Sequence, residues 1–280
     1  LTMQILGVRR AHRFSPNSVA RDAEIFNEVV RFLSSLGHSV VAVDEDALRY
    51  NKIYDRVFSM ARSEAALAQL LNFERHDCPV INSPQALLRT SRVFFYELLL
   101  AAGIPQPQSW VLEYPYSLPP DLDYPLWLKR GEGCAQAKGD VQYICNEATL
   151  KTALQTFQSE APKRLLLSRH MQGDLIKFYG VAGTSFFHSL YPTQQGGFSK
   201  FGLEQNNGKP HYYPFSLPQL QIATERAATI SGLSVYGGDA IVQADGSFYI
   251  IDFNDWPSFS PCVNAAAEAI SQLILSDYDS

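Results

Sequence analysis

The stretch that decides the fold is Gly237-Gly238-Asp239-Ala240-Ile241-Val242, a turn at Ala244-Asp245-Gly246, then Ile250-Ile251-Asp252-Phe253-Asn254-Asp255-Trp256-Pro257-Ser258-Phe259-Ser260. Two β-rich runs around an Asp-Gly turn predict an antiparallel hairpin. Asp252 and Asn254 are two residues apart, so a strand puts both side chains on one face, with Ile251 and Phe253 turned the other way. Asp239 lies on the partner strand and is a candidate cross-strand neighbour. Oxygen donors of this kind suit a hard cation: Mg²⁺ takes one or two carboxylates and completes its octahedron with phosphate oxygens or water. The alternative is a polar outer face of an edge hairpin.

Upstream, Lys129 ends the apolar run Pro125-Leu126-Trp127-Leu128, directly before the glycine-bearing segment Gly131 to Gly139. A strand-end lysine beside such a loop can hold a polyphosphate as a point charge, or simply be solvated. Leu126 to Lys129 and Val141 to Cys145 read as antiparallel strands around that loop. The apolar run Leu165-Leu166-Leu167 breaks at Ser168-Arg169-His170-Met171. Main-chain groups at such a break can read an adenine edge. Met171 could pack on the ring, and Asp174 could accept from a ribose hydroxyl. His170 reads as a surface histidine or a general base. Lys177, in Leu175-Ile176-Lys177-Phe178, faces either solvent or a charged ligand.

The first eighty residues alternate strand and helix patterns, and strands separated by helices predict a parallel sheet. Apolar or β-branched runs at Thr2 to Val8, Ser39 to Val43, Tyr54 to Met60 and Cys78 to Ile81 are the strands. Asp22 to Leu36 and Glu64 to Phe73 are the helices. Asn82-Ser83-Pro84 opens a single long helix to Ala102, with Arg92 inside it and Gly103 as its stop. Pro105 and Pro107 then draw the chain out extended, and the proline-rich stretch Tyr114 to Pro125 is a loop. Further helices are expected at Ala148 to Phe157, Pro218 to Ile230 and Val263 to Leu275. Domain limits are placed at 1–81, 82–172 and 173–280.

Composition bounds the function. The chain has 280 residues, 46% hydrophobic and 18% charged, enough for a real core. Twenty-eight acids against 23 Lys and Arg give a net charge of -5, which argues against nucleic acid as a partner. No apolar run approaches the roughly 18 residues of a membrane span, so no membrane partner is expected. Leu1-Thr2-Met3-Gln4 does not show the basic-then-apolar profile of a signal peptide. Cys78, Cys134, Cys145 and Cys262 form no CxxC pair, which points to reduced thiols and a cytoplasmic location. There is no GxGxxG, GxSxG, P-loop or HExxH motif.

The order and spacing of these motifs resemble the ATP-grasp superfamily, from about Ile81 to the C-terminus, with the first eighty residues as its preceding α/β domain. The resemblance implies an α/β domain followed by a two-subdomain α+β ATP-grasp fold, with ATP between the subdomains. It makes Arg92 and Lys129 the phosphate-binding and catalytic cations, and places Ser168, Arg169, His170, Met171, Asp174 and Lys177 around the nucleotide. Asp239, Asp252 and Asn254 become the Mg²⁺ (or Mn²⁺) shell. Gly131 to Gly139 becomes a lid, with Lys138 a further contact. Two departures stand out: Ser168-Arg169 where a Gln or Glu is common before the hinge, and Asp-x-Asn where Glu-x-Asn is more frequent. Asp-x-Asn followed by Pro, with the Leu175 to Val181 strand, is similar to the inositol phosphate kinase branch. Glutamate ligases and glutathione synthetase-like enzymes share the more common chemistry.

The expected activity is therefore an ATP-dependent ligase that makes an acylphosphate for an amine to attack. A kinase acting on a hydroxyl is the second expectation and an ATP-binding regulator the third. The acceptor is a small molecule or a peptide. Arg9, Arg10, His12 and Arg13 follow the first strand, where an α/β sheet usually binds ligand, and are candidates for an anionic substrate. Lys200 with Lys209 and His211, and Ser258 with Ser260, are the other acceptor candidates. The two serines could equally cap the last helix. The sequence gives no oligomeric state.

Overall fold

In a computed structural model, residues 2–15, 17–132, 138–160, 162–192 and 206–276 are described, and the statements below concern them. Four parallel strands form the first sheet: β1 (Gln4–Arg9), β2 (Ser39–Asp44), β3 (Arg56–Ser59) and β4 (Val80–Ile81), in the order β2-β1-β3-β4. Helix α1 (Val19–Ser35) connects β1 to β2, and α2 (Glu64–Glu74) connects β3 to β4. The apolar spacing of α1 buries Ile25, Phe26, Val29 and Leu33. Gly37, at φ +88°, ends it in the left-handed region that a Cβ disfavours.

The expected single helix from Ser83 to Ala102 is two helices, α3 (Pro84–Arg89) and α4 (Arg92–Ala101). Thr90 and Ser91 are both extended. The Thr90 hydroxyl donates back to the Ala86 carbonyl at 2.8 Å. The Ser91 hydroxyl accepts from the Phe94 amide at 3.1 Å and caps a new helix. Arg92 therefore stands at the first position of α4 rather than in mid-helix.

The second sheet is antiparallel, in the order β5-β8-β6-β7, from β5 (Ser109–Glu113), β6 (Leu126–Arg130), β7 (Val141–Ile144) and β8 (Arg164–Arg169). Helix α5 (Glu147–Glu160) covers it. The extended chain after Pro107 forms β5, an edge strand paired with β8.

The third sheet, also antiparallel, has the order β10-β9-β11-β12, from β9 (Asp174–Val181), β10 (Phe187–Leu190), β11 (Val235–Val242) and β12 (Phe248–Asp255). Helices α6 (Leu217–Ser231) and α7 (Val263–Leu275) complete the chain.

The packing fixes the site. One core joins Ile5, Phe26 and Val29 of the first sheet and α1 to Trp256, Phe259 and Ile270, so the end of β12 is seated on the N-terminal layer. A second core packs α4 and α6 on the third sheet through Phe95, Leu220 and Phe253. The core under α5 is made wholly of residues between Trp110 and Leu167. Among the described residues no helix is long and apolar enough to cross a membrane.

Candidate functional site

A cleft of about 370 Å³ separates the second and third sheets. Its two ends differ in chemistry. One carries Lys129, Arg92, Lys177, Asp239, Asp252 and Asn254, and the other carries Leu99, Pro107, Trp127, Met171, Leu175 and Ile241.

The charged end is built by strand register. Lys177 of β9 is directly opposite Asp239 of β11, and Asp239 is opposite Asp252 of β12. Lys177 Nζ meets Asp239 at 2.9 Å, both side chains being largely buried. The pairing of β11 with β12 shifts by one residue between Asp239 and Ala240, whose partners are Asp252 and Ile250. Ile251 is the residue the ladder skips, and a bulge leaves its carbonyl free of the ladder. That carbonyl accepts from Lys129 Nζ at 2.9 Å across the cleft. Gly238 lets the strands close here: a Cβ on it would lie 2.2 Å from the Asp252 carbonyl oxygen.

These charges depend on one another. Burial pushes the Lys129 ammonium below the ordinary lysine range, opposed by Asp252 and assisted by Arg92. For Asp252 burial acts upward, but Arg92, Lys129, a hydrogen bond from Asn254 and Lys177 outweigh it and hold the carboxyl below its usual range. Arg92 donates to the Arg130 carbonyl at 3.2 Å.

At the apolar end Trp127 Nε1 donates to His170 Nδ1 at 3.0 Å. Burial lowers the His170 pKa, which favours the neutral ring, and accepting at Nδ1 puts that ring's proton on Nε2. Ser168 is buried and hydrogen-bonded to Ser109 at 2.9 Å. Arg169 lines the cleft but pairs with Asp123 at 2.6 Å.

Several expectations need correction. Asp174, expected at a ribose hydroxyl, has a wholly buried side chain. Its oxygens accept from the main-chain amides of His211 at 2.6 Å and Tyr213 at 2.9 Å, so it anchors a loop. Lys177 lines the cleft, as the ligand-facing alternative expected, and there it also pairs with Asp239. Arg10, proposed for an anionic substrate, is 4% exposed and meets Asp22 at 3.1 Å and Asp255 at 3.6 Å. It also donates to the carbonyls of Met60 and Trp256, clipping the end of β12 to the loop after β3. Arg13 does not line the cleft and pairs with Asp46 at 2.7 Å on the surface. Ser258 does line it, sharing a hydrogen bond with Ser260 at 3.0 Å. Lys200, residues 133–137 of the expected lid and the Lys138 side chain lie outside the described residues.

The sequence reading missed Arg62, Trp127 and Gln106, all of which line the cleft. Arg62 follows β3 and holds Asp255 at 2.9 Å, at the carboxyl end of a parallel strand where ligand clefts form. Trp127 alternates with buried Leu126 and Leu128, which turns it to the cleft face. Gln106 is fixed between two prolines.

No protein-family model and no curated protein matches the chain. Solved structures do match. A RimK-domain ATP-grasp protein from Sphaerobacter thermophilus DSM 20745 superposes with a TM-score of 0.69 at 14% identity, covering 98% of this chain and 100% of that one. The fold is the ATP-grasp fold. D-alanine–D-alanine ligase from Bacillus anthracis matches with a TM-score of 0.65 at 14% identity, over 96% of this chain and 92% of the ligase. The same enzyme complexed with ATP gives 0.64 at 13% identity over the same shares. The ATP-grasp likeness thus runs from the first parallel sheet through α7.

Proposed function

We propose that the protein is an ATP- and Mg²⁺-dependent ligase that activates a carboxylate substrate as an acylphosphate for attack by an amine. The supporting observation is the convergence of Lys129, Arg92 and the Asp239–Asp252–Asn254 face at one end of a cleft whose other end suits a flat apolar ring. A fold shared with an ATP-complexed ligase agrees with it, as a fold-level analogy.

The donor set fits Mg²⁺. Asp239 and Asp252 supply two carboxylates from adjacent strands, and Asn254 an amide oxygen on the same face. No cluster of three or more His, Cys, Asp or Glu exists among the described residues. A Mg²⁺ site needs only one or two carboxylates, with phosphate oxygens supplying the rest. Bound there, the ion would neutralise phosphate charge as it develops.

The remaining work belongs to the chain. Lys129 and Arg92 neutralise and orient the phosphates without forming a covalent intermediate. A substrate carboxylate oxygen attacks the γ-phosphorus, the bridging P–O bond to ADP breaks, and an acylphosphate results. The amine nitrogen then adds to the acyl carbon, the C–O bond to phosphate breaks, and inorganic phosphate and a proton leave. Arg10, Asp22, Arg62 and Asp255, joined in ion pairs, also line the cleft. The cytoplasm is the proposed location, and a small molecule or peptide the acceptor.

The test follows the γ-phosphate. Labelled ATP, Mg²⁺ and a fractionated metabolite pool are incubated with the protein, with a chelator control. Label released as inorganic phosphate, dependent on one fraction and abolished by the chelator, is expected. Label retained on an organic hydroxyl compound would make the protein a kinase and refute the ligase assignment.

A further inference from the structure

The apolar end of the cleft has its own polar chemistry. The groups that α4, β5, β6 and β8 present there are tied to one another by hydrogen bonds. The Tyr96 hydroxyl donates to the Ser109 carbonyl at 2.8 Å. The Ser109 hydroxyl reaches the Pro107 carbonyl at 3.0 Å and the Ser168 hydroxyl at 2.9 Å. His170 uses Nδ1 to accept from Trp127 and keeps only an N–H for the cleft. Gln106 is different. Its Nε2 donates to the Tyr96 carbonyl at 2.8 Å, which fixes the orientation of the amide. Among the described residues nothing donates to its Oε1, and the residue lines the cleft.

The position of Gln106 is also fixed. Pro105 and Pro107 restrict the backbone on both sides. The Pro105 carbonyl accepts from the Ile250 amide of β12 at 2.9 Å. The Arg169 amide donates to the Gln108 carbonyl at 2.9 Å, tying the same loop to the end of β8. The side-chain oxygen is therefore carried on a segment held from both walls of the cleft, beside the Ser168–Met171 break.

Taking the nucleotide reading above as its basis, we infer that Gln106 is the residue that selects the base: its Oε1 accepts a hydrogen bond from the 6-amino group of adenine. A purine with oxygen at that position brings an acceptor to an acceptor and is disfavoured. One with only hydrogen there leaves Oε1 unpaired.

The experiment compares three nucleotides on the intact protein by calorimetry with Mg²⁺: ATP, inosine triphosphate and purine riboside triphosphate, which lacks the 6-amino group. Wild type should bind ATP roughly tenfold more tightly than the purine analogue, the value of one hydrogen bond. It should bind the inosine compound more weakly still. In Gln106→Met, which keeps the volume and loses both amide functions, the ATP-to-purine preference should collapse to near unity while purine riboside triphosphate affinity is retained. The wild-type comparison stands even if the variant folds poorly. Wild type that binds ATP and the purine analogue equally overturns the inference, as does a preference unchanged in Gln106→Met, which would assign selection to a main-chain carbonyl. Wild type that binds none of the three overturns the nucleotide reading itself, and the inference with it.

Discussion

Replacing Lys129 with methionine separates a charge that serves the ligand from one that serves the fold. Lys129 Nζ, partly buried, donates to the carbonyl of the bulged Ile251. Methionine preserves most of the apolar stem and removes the ammonium. Losing a charge-assisted hydrogen bond to phosphate costs about 1.5–3 kcal/mol. At about 1.4 kcal/mol per decade, Mg²⁺-ATP affinity should fall roughly tenfold to a hundredfold. Two opposing effects act on stability. The Ile251 carbonyl loses its partner, costing about 1–3 kcal/mol. Removal of a charge whose burial is unfavourable offsets part of that, since buried charges replaced by apolar groups often leave stability little changed. Asp252 still has Arg92 and Lys177 in its field.

The net loss should be at most about 1–2 kcal/mol, or a few degrees in Tm at roughly 2–4 °C per kcal/mol. Titration calorimetry with Mg²⁺-ATP and thermal unfolding without nucleotide give the two numbers. Unchanged ATP affinity in Lys129→Met beside a large fall in Tm would refute the reasoning. It would show that Lys129 is a strut between the sheets and that the phosphates bind elsewhere.

Two further outcomes follow from the same geometry. Asp174→Asn should lower stability by about 2 kcal/mol, because one main-chain amide loses its charged acceptor. Nucleotide affinity should barely change; weakened ATP binding with normal unfolding would return Asp174 to a ribose-binding role. His170 is depressed below the ordinary histidine value of 6.5 by burial. The unfolded chain therefore takes up the proton first, so the stability tied to neutral His170 is complete above that value and is lost as pH falls through the folded pKa. Nitrogen-15 NMR at pH 8, above the ordinary histidine value, should show the ring proton on Nε2 and a bare Nδ1. A charged imidazolium there would contradict the Trp127 hydrogen bond.

How much the sequence disclosed depended on the range of each interaction. The two-residue period of a strand was enough to bring Asp252 and Asn254 to one face, and the Asp-Gly turn to bring Asp239 alongside. The bulge at Ile251 was not legible, because which residue the ladder skips is decided by close packing at Gly238 and by Lys129 in another sheet. The break before Arg92 turns on Thr90 and Ser91, which a helix tolerates and which become a stop only when both hydroxyls bond to the main chain. Asp174 looked like a ligand group since its partners are the amides of His211 and Tyr213, nearly forty residues on. The Arg10 clip to the Trp256 carbonyl spans 246 positions. No local pattern carries that information.

The two walls of the cleft are held differently, and this bears on how a ligand can enter. The wall carrying Asp239, Asp252 and Asn254 rests on cores that run from β1 and α1 to α7 and from α4 to α6. The wall carrying Lys129, Trp127 and His170 rests on a core drawn wholly from residues 110–167. The bonds that reach from this second unit to its neighbours beside the charged end are polar: Lys129 to the Ile251 carbonyl, Arg92 to the Arg130 carbonyl, and the Val93 amide to the Gly131 carbonyl. Giving up such a bond costs about 1–3 kcal/mol where it orphans a buried carbonyl, an amount that charge-assisted bonds to phosphate, at about 1.5–3 kcal/mol each, can offset. Opening an apolar core would cost far more, at about 25 cal/mol for each Å² exposed. On the proposed nucleotide reading, keeping each core on its own side of the cleft would therefore let polyphosphate replace the polar contacts while both walls stay packed.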